Sequence, residues 1–330
     1  MLTRRTFVST ASALVATPAL TGRAFAQTVT LRSTDIHPDG YPTIEAVKFM
    51  GSLIEQRTSG RVKINVFHSA QLGQEKDTIE QTRFGVIDMN RINMAPFNNL
   101  IASTNVPSLP FLFRSVAHMQ KVMDGEIGDG ILNDFSAHGL VGLAFYDSGA
   151  RSFYNSKRPI NTLADMKGLK IRVQQSDMFI DLVNALGANA TPMPFGEVYT
   201  SLQTGVIDGA ENNWPSYEST RHFEVAKFIS LTEHSMSPEV LVMSKRSFDK
   251  LSAGDRDIVR ASAKESVAKM RELWTAREKS SEAAVRGRGA QVNPVEKQAF
   301  IDAMKPIYDK YVKDAALKAM VAKIQAVTTA

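Results

Sequence analysis

Two arginines are placed where their chemistry would matter. Arg172 lies inside the apolar run Gly168-Leu169-Lys170-Ile171-Arg172-Val173, and Arg151 follows the apolar segment LVGLAFYDSGA at residues 140–150. A guanidinium among buried neighbours is costly unless a carboxylate or a ligand satisfies it. Its planar fork also grips a carboxylate through two parallel hydrogen bonds. Strand alternation admits a second placement, with Arg172 on the solvent side, and the residues of the run leave both open.

Covalent and metal chemistry has little to work with. The 330 residues contain no cysteine, which removes disulfides, thiolate metal sites and thiol nucleophiles. No GxSxG elbow, GxxxxGK[ST] loop, GxGxxG fingerprint or HExxH helix is present. The six histidines (His37, His68, His118, His138, His222, His234) never fall two to a helical turn. They read as hydrogen-bonding or surface groups rather than metal ligands, and no cofactor is expected.

The net charge of +5 and pI of about 9.3 would suit a polyanion binder, but the amino end accounts for most of it. Residues 1–26 combine a basic start, a short apolar stretch interrupted by Pro18, and Ala24-Phe25-Ala26 as an A-x-A cleavage site, the pattern of an export signal. The stretch is shorter than the ~20 residues a bilayer span requires. Adjacent Arg4 and Arg5 followed by Thr6 and Phe7 resemble a twin-arginine signal, so a periplasmic location is expected. Without Arg4, Arg5 and Arg23 the balance is 36 basic against 34 acidic residues, a poor match for nucleic acid.

The elements that must position the arginines repeat. VTLRST (29–34), a helix around 44–58, RVKINVF (61–67) and a helix around 74–84 lead into GVIDMNRIN; LKIRV (169–173), helices near 177–186 and 196–204 lead into GVIDGAENN. Strands alternating with helices predict an α/β fold, and the doubled GVID, at 85–88 and 205–208, predicts two related domains. Asn93 and Asn213 then occupy equivalent places past strand ends, where open α/β sheets place ligands. From Asp255 to about Arg286 there is no Gly or Pro, and Val259, Ala263, Val267, Met270 and Trp274 recur at helical spacing. Such a helix, roughly 45 Å long, is long enough to span both halves. A last helical region is expected from about Val295 to Ile324.

The segments SAQLGQEKD (69–77), ADMKGLKIRV (164–173) and TPMPFGEVYTSLQTGVIDGAENN (191–213) resemble the periplasmic solute-binding proteins of tripartite ATP-independent periplasmic (TRAP) transporters, of the C4-dicarboxylate-binding type. The resemblance covers nearly the whole chain after the leader. It implies a two-domain α/β periplasmic binding protein, a Venus-flytrap fold with a long domain-spanning helix, closing around an organic acid and working with small and large membrane subunits. On this pattern residues 27–148 plus about 238–277 form one domain, and 149–237 plus about 278–330 the other.

The resemblance also assigns roles. Arg172 makes the main salt bridge to the solute carboxylate, Arg151 adds a second guanidinium, Asn212 follows the DGxE motif with Asn213 and Trp214 extending it, and Phe195 forms an apolar wall. The opposite wall receives Gln74 and Glu75 from the LGQE loop, Arg91 and Asn93 from the strand after GVID, and His37 from STDIHPDGYP. Some relatives carry an acid near Arg91 and Asn93. HPDGYPT together with ENNWPSY is similar to members that bind sugar acids such as glucuronate or galacturonate; a C4-dicarboxylate would need a second cation, for which Arg91 is available. Two other classes remain: a periplasmic sugar-acid enzyme with Glu75 or His37 as general base, and a sensor that docks on a receptor.

Overall fold

The computed structural model describes residues 28–328, so the export signal and its paired arginines lie outside the described residues. Eleven strands form two sheets among those residues. The first has order β2-β1-β3-β10-β4, built from β1 (Val29–Thr34), β2 (Val62–Phe67), β3 (Met89–Asn93), β4 (Leu140–Tyr146) and β10 (Glu239–Ser244). The second has order β11-β9-β5-β8-β6-β7, built from β5 (Arg151–Asn155), β6 (Lys170–Val173), β7 (Asn189–Pro192), β8 (Gly209–Asn212), β9 (Phe228–Ser235) and β11 (Gln291–Pro294). The chain passes between them twice through strands, from β4 to β5 and from β9 back to β10.

The doubled GVID is a structural corner. Gly85 and Gly205 take left-handed φ values of 78° and 75° that end the preceding helices. Ile87 and Ile207 are buried, while Val86 and Val206 stay exposed. Each aspartate then fastens the incoming strand: Asp88 Oδ2 accepts from the Arg32 amide at 2.8 Å, and Asp208 Oδ2 from the Lys170 amide at 2.9 Å. The same four residues therefore join β3 to β1 and β8 to β6 in parallel.

The long helix runs Ala253–Gly287. Val259, Ala263, Met270 and Trp274 pack in the core of the first sheet, and Val285 in that of the second, so the helix does reach both. Val267 is half-buried at the edge of the stripe. The expected last helical region is instead broken. β11 ends just before it, and the region itself runs as three separate helices, Gln298–Asp302, Lys305–Tyr311 and Ala315–Ala326. Pro306 opens the second of these and Asp314 caps the third by accepting from the Leu317 amide, signals that restart helices rather than continue one.

Candidate functional site

The carboxyl ends of parallel strands β1, β3, β6 and β8 face one another across a narrow slot, together with the first residues of antiparallel β5 and β10. The slot is nearly shut, with a cavity of about 20 Å³, room for about one water molecule. Ile36, His37, Glu75, Arg91, Asn93 and Glu239 line it from the first sheet; Arg151, Arg172, Gln174, Phe195, Asn212 and Ser216 line it from the second. The walls touch. Tyr41 Oη meets Ser216 Oγ at 3.0 Å, the Gly196 amide donates to Gln74 Oε1 at 3.3 Å, and the Asn98 amide group meets Ser176 Oγ at 3.0 Å.

The three arginines of the slot are satisfied very differently. Arg91, 1% exposed, donates Nε to Asp35 Oδ2 at 2.8 Å and Nη2 to Asp35 Oδ1, and its Nη1 lies 3.2 Å from Glu239 Oε2. Burial would raise the Asp35 carboxyl, but Arg91 outweighs it and the net shift is down. Arg151 donates Nε to Glu211 Oε2 at 2.5 Å, Nη2 to Glu211 Oε1 at 2.8 Å, and Nη1 to Asn212 Oδ1 at 2.8 Å. Against its own burial, that pairing drives Glu211 down to about 2. Arg172, 3% exposed, has no ion pair among the described residues; its Nε and Nη2 both donate to the Met193 carbonyl, at 3.0 and 2.8 Å. Burial without a counter-ion lowers its pKa. Of its five N–H hydrogens, those of Nη1 and one of Nη2 remain for a ligand, with the Phe195 ring centroid 5.9 Å from Cζ.

The strand run that left Arg172 open between core and solvent thus places it in the interior. Arg151 differs from the free second clamp expected of it, because Glu211 fills its fork. Arg91 differs likewise from a free second cation, because Asp35 holds it. His37 stacks on Tyr41 at 3.8 Å and is held neutral, its pKa pushed down to about 3 by burial and by Arg91; Glu75 is pushed up by burial against Arg91 and accepts from the Asn93 amide at 2.9 Å. Asn213 does not line the slot. Its Oδ1 caps the helix Trp214–Ser219 and its Nδ2 donates to the Ser148 carbonyl at 2.8 Å. Trp214 also lies away from it, packed under Arg286 with the guanidinium 5.8 Å from its ring, and Gln74 serves the contact between walls. Sequence reasoning missed Ile36, Gln174, Ser216 and Glu239. For Glu239 a signal existed: an acid heading the apolar run VLVM of the strand EVLVMS.

Among the described residues no cluster has the composition of a metal site. Two sheets bridged by crossing strands, closed over a polar slot at their strand ends, define a solute-binding protein. The family model for bacterial extracellular solute-binding proteins, family 7, matches residues 34–314, and the chain belongs to that family, the solute-binding proteins of TRAP transporters. It is similar to a TRAP periplasmic solute-binding protein of Bradyrhizobium sp. BTAi1, solved with α/β-D-galacturonate: 56% identity, 90% of this chain and 100% of that one, TM-score 0.89. A counterpart from Xanthobacter autotrophicus Py2, solved with β-D-galacturonate, is 53% identical over the same shares with TM-score 0.89. One from Chromohalobacter salexigens, solved with D-glucuronate, is 43% identical, covering 89% of this chain and 99% of that one, with TM-score 0.87. The resemblance carried by the sequence motifs is therefore borne out at the level of family and fold. TRAP proteins of this kind bind organic acids outside the cytoplasm and work with membrane subunits.

Proposed function

We propose that this chain captures a hexuronate, galacturonate or glucuronate, and delivers it to the membrane subunits without transforming it. One observation carries the reading: Arg172 is a buried guanidinium with no protein carboxylate, and it faces a wall that already holds Asp35, Glu75 and Glu239. A solute carboxylate supplies the missing counter-charge on one side. The acidic wall opposite suits hydroxyl groups and repels a second carboxylate. Arg91, the one cation a dicarboxylate would have used, is occupied by Asp35. The solutes of the similar proteins support the same class.

In this reading Arg172 clamps the carboxylate and Arg151 contributes its remaining N–H beside Asn212. Phe195 walls the ring, while His37, Glu75 and Asn93 meet hydroxyls. His37, its pKa pushed down to about 3, is too weak a base to serve well near neutral pH, which supports capture over catalysis. The domain division at 148/149 and about 237/238 is supported by which sheet each strand joins, and a shared long helix by Trp274 packing with the first sheet and Val285 with the second; the last helix, Ala315–Ala326, departs from it by docking on the first domain, where His118 Nε2 meets the Ile324 carbonyl at 2.9 Å. Solute contacts on both walls favour the closed form. Export as a periplasmic protein through the twin-arginine signal completes the proposal. A thermal-shift screen of organic acids tests it: a bound acid at 100 times its Kd adds about 2.7 kcal/mol, and no shift with either hexuronate would overturn the solute assignment.

A further inference from the structure

The first-sheet wall of the slot is over-supplied with acid. Asp35, Glu75 and Glu239 share one cation, Arg91, whose Nε and Nη2 are both committed to Asp35. The remaining Nη1 lies 3.2 Å from Glu239 Oε2 and 3.7 Å from Glu75 Oε1 without forming a hydrogen bond to either. Glu75 is compensated by the Asn93 amide. Glu239, 2% exposed, receives only the Ser148 hydroxyl on Oε1, at 3.4 Å, and its Oε2 is a buried acceptor with no hydrogen bond. Three ionised carboxylates around one guanidinium in a desolvated slot are unfavourable, and Glu239 is the one with least to hold its charge.

We propose that Glu239 carries a proton when the slot closes on a solute and donates it, as a hydrogen bond, to a neutral oxygen of the solute remote from its carboxylate. The protein therefore takes up a proton from bulk solvent as it binds, and Glu239 selects for a hydroxyl or ring oxygen at that end. This rests on the sugar-acid reading and deepens it. Every neighbour points the same way except the two arginines. Asp35 and Glu75 oppose ionisation of Glu239; Arg91 and Arg151 favour it; burial outweighs them and pushes the group up to about 7. His37 is neutral and Tyr41, raised by burial and by Glu239 itself, is neutral too, so neither contributes a compensating charge. In an open form, where water reaches the wall, the carboxyl returns toward its ordinary range and ionises. Closure then changes its protonation, and the solute carboxylate adds one more negative charge to the slot.

The test is calorimetry with D-galacturonate on the full chain between about pH 6 and 8, in pairs of buffers of different ionisation enthalpy. The expected result is uptake of up to one proton, seen as a buffer-dependent heat, with Kd rising toward tenfold per pH unit in the lower part of the range and levelling off above the raised value of about 7. Glu239→Gln, its fold checked by melting, is expected to flatten that slope whatever its own affinity. Galacturonate heat with neither proton uptake nor pH slope in the native protein overturns the inference and leaves the uronate reading standing. A slope that survives in Glu239→Gln and disappears in Glu75→Gln also overturns it, by moving the proton to Glu75. No heat with either galacturonate or glucuronate at any pH, in either buffer, overturns both readings.

Discussion

The Nε and Nη2 hydrogens of Arg172 both end on the carbonyl oxygen of Met193, at 3.0 and 2.8 Å. That contact fixes the plane of the guanidinium while leaving its charge uncompensated, so the arginine is oriented before any ligand arrives. Orientation in advance removes part of the ordering cost of binding. Truncation should then cost binding far more than folding. Arg172→Ala is expected to lose about 2 to 5 kcal/mol of acid binding by calorimetry, with its melting temperature unchanged or raised, because an uncompensated buried charge has been removed. Arg172→Lys should also bind poorly, since an ammonium cannot reproduce the fork. Native affinity in either variant would remove Arg172 from the site.

The charge arrangement of the slot sets an order among solutes. Galacturonate and glucuronate are expected to raise the melting temperature more than succinate or malate. Glucose, which leaves Arg172 without a counter-charge, should give no shift. In competition titrations a C4-dicarboxylate that displaces a hexuronate at equal concentration would reverse the assignment of solute class.

Polar contacts between the walls include Tyr41 with Ser216 and Gln74 with Gly196, and solute bound to both walls adds to them in the closed form. Small-angle scattering is expected to show a smaller radius of gyration with saturating galacturonate than without it. Identical profiles would argue against a two-domain clamp.

Acid should weaken the second wall first through Arg151 and Glu211. The folded Glu211 pKa of about 2 lies below the ordinary glutamate value of 4.5, so its contribution is present above pH ~4.5 and is lost as pH falls toward 2. The loss should be roughly 3 kcal/mol. Glu239 acts in the opposite sense: its folded pKa, about 7 against 4.5, makes the closed fold less stable as pH rises between those values. Denaturant titrations of native protein and Glu211→Gln across pH 3 to 5 check the first effect; parallel acid profiles in the two proteins would refute it.

Gly149 marks the crossing from β4 to β5. It has φ +60°, and a Cβ there would lie 2.5 Å from Glu278 Oε1 and 3.2 Å from Trp274 Nε1. Gly149→Ala is expected to be destabilising by about 1 kcal/mol or more in a thermal melt. An unchanged melting temperature would show that the crossing relaxes freely.

Local chemistry made much of this protein legible from its residues alone. Strand and helix periodicity located β1, β2, β6 and the long helix to within a few residues, because each buries a face whose period shows in the chain. GVID declared itself twice because the turn glycine, the buried isoleucine and the strand-fastening aspartate are all near neighbours in sequence. The motifs around Arg172 and Asn212 carried the family. What the residues could not show is which charges already have partners. Arg91 finds Asp35 56 residues away, and Arg151 finds Glu211 60 residues away, so three similar arginines become two filled forks and one empty one only when the sheets assemble. Glu239 likewise reads as an ordinary acid at a strand start until β10 is laid beside β3 and brings it to Arg91. Coulomb and desolvation energies depend on distance and burial in space, and a strand's own sequence fixes neither.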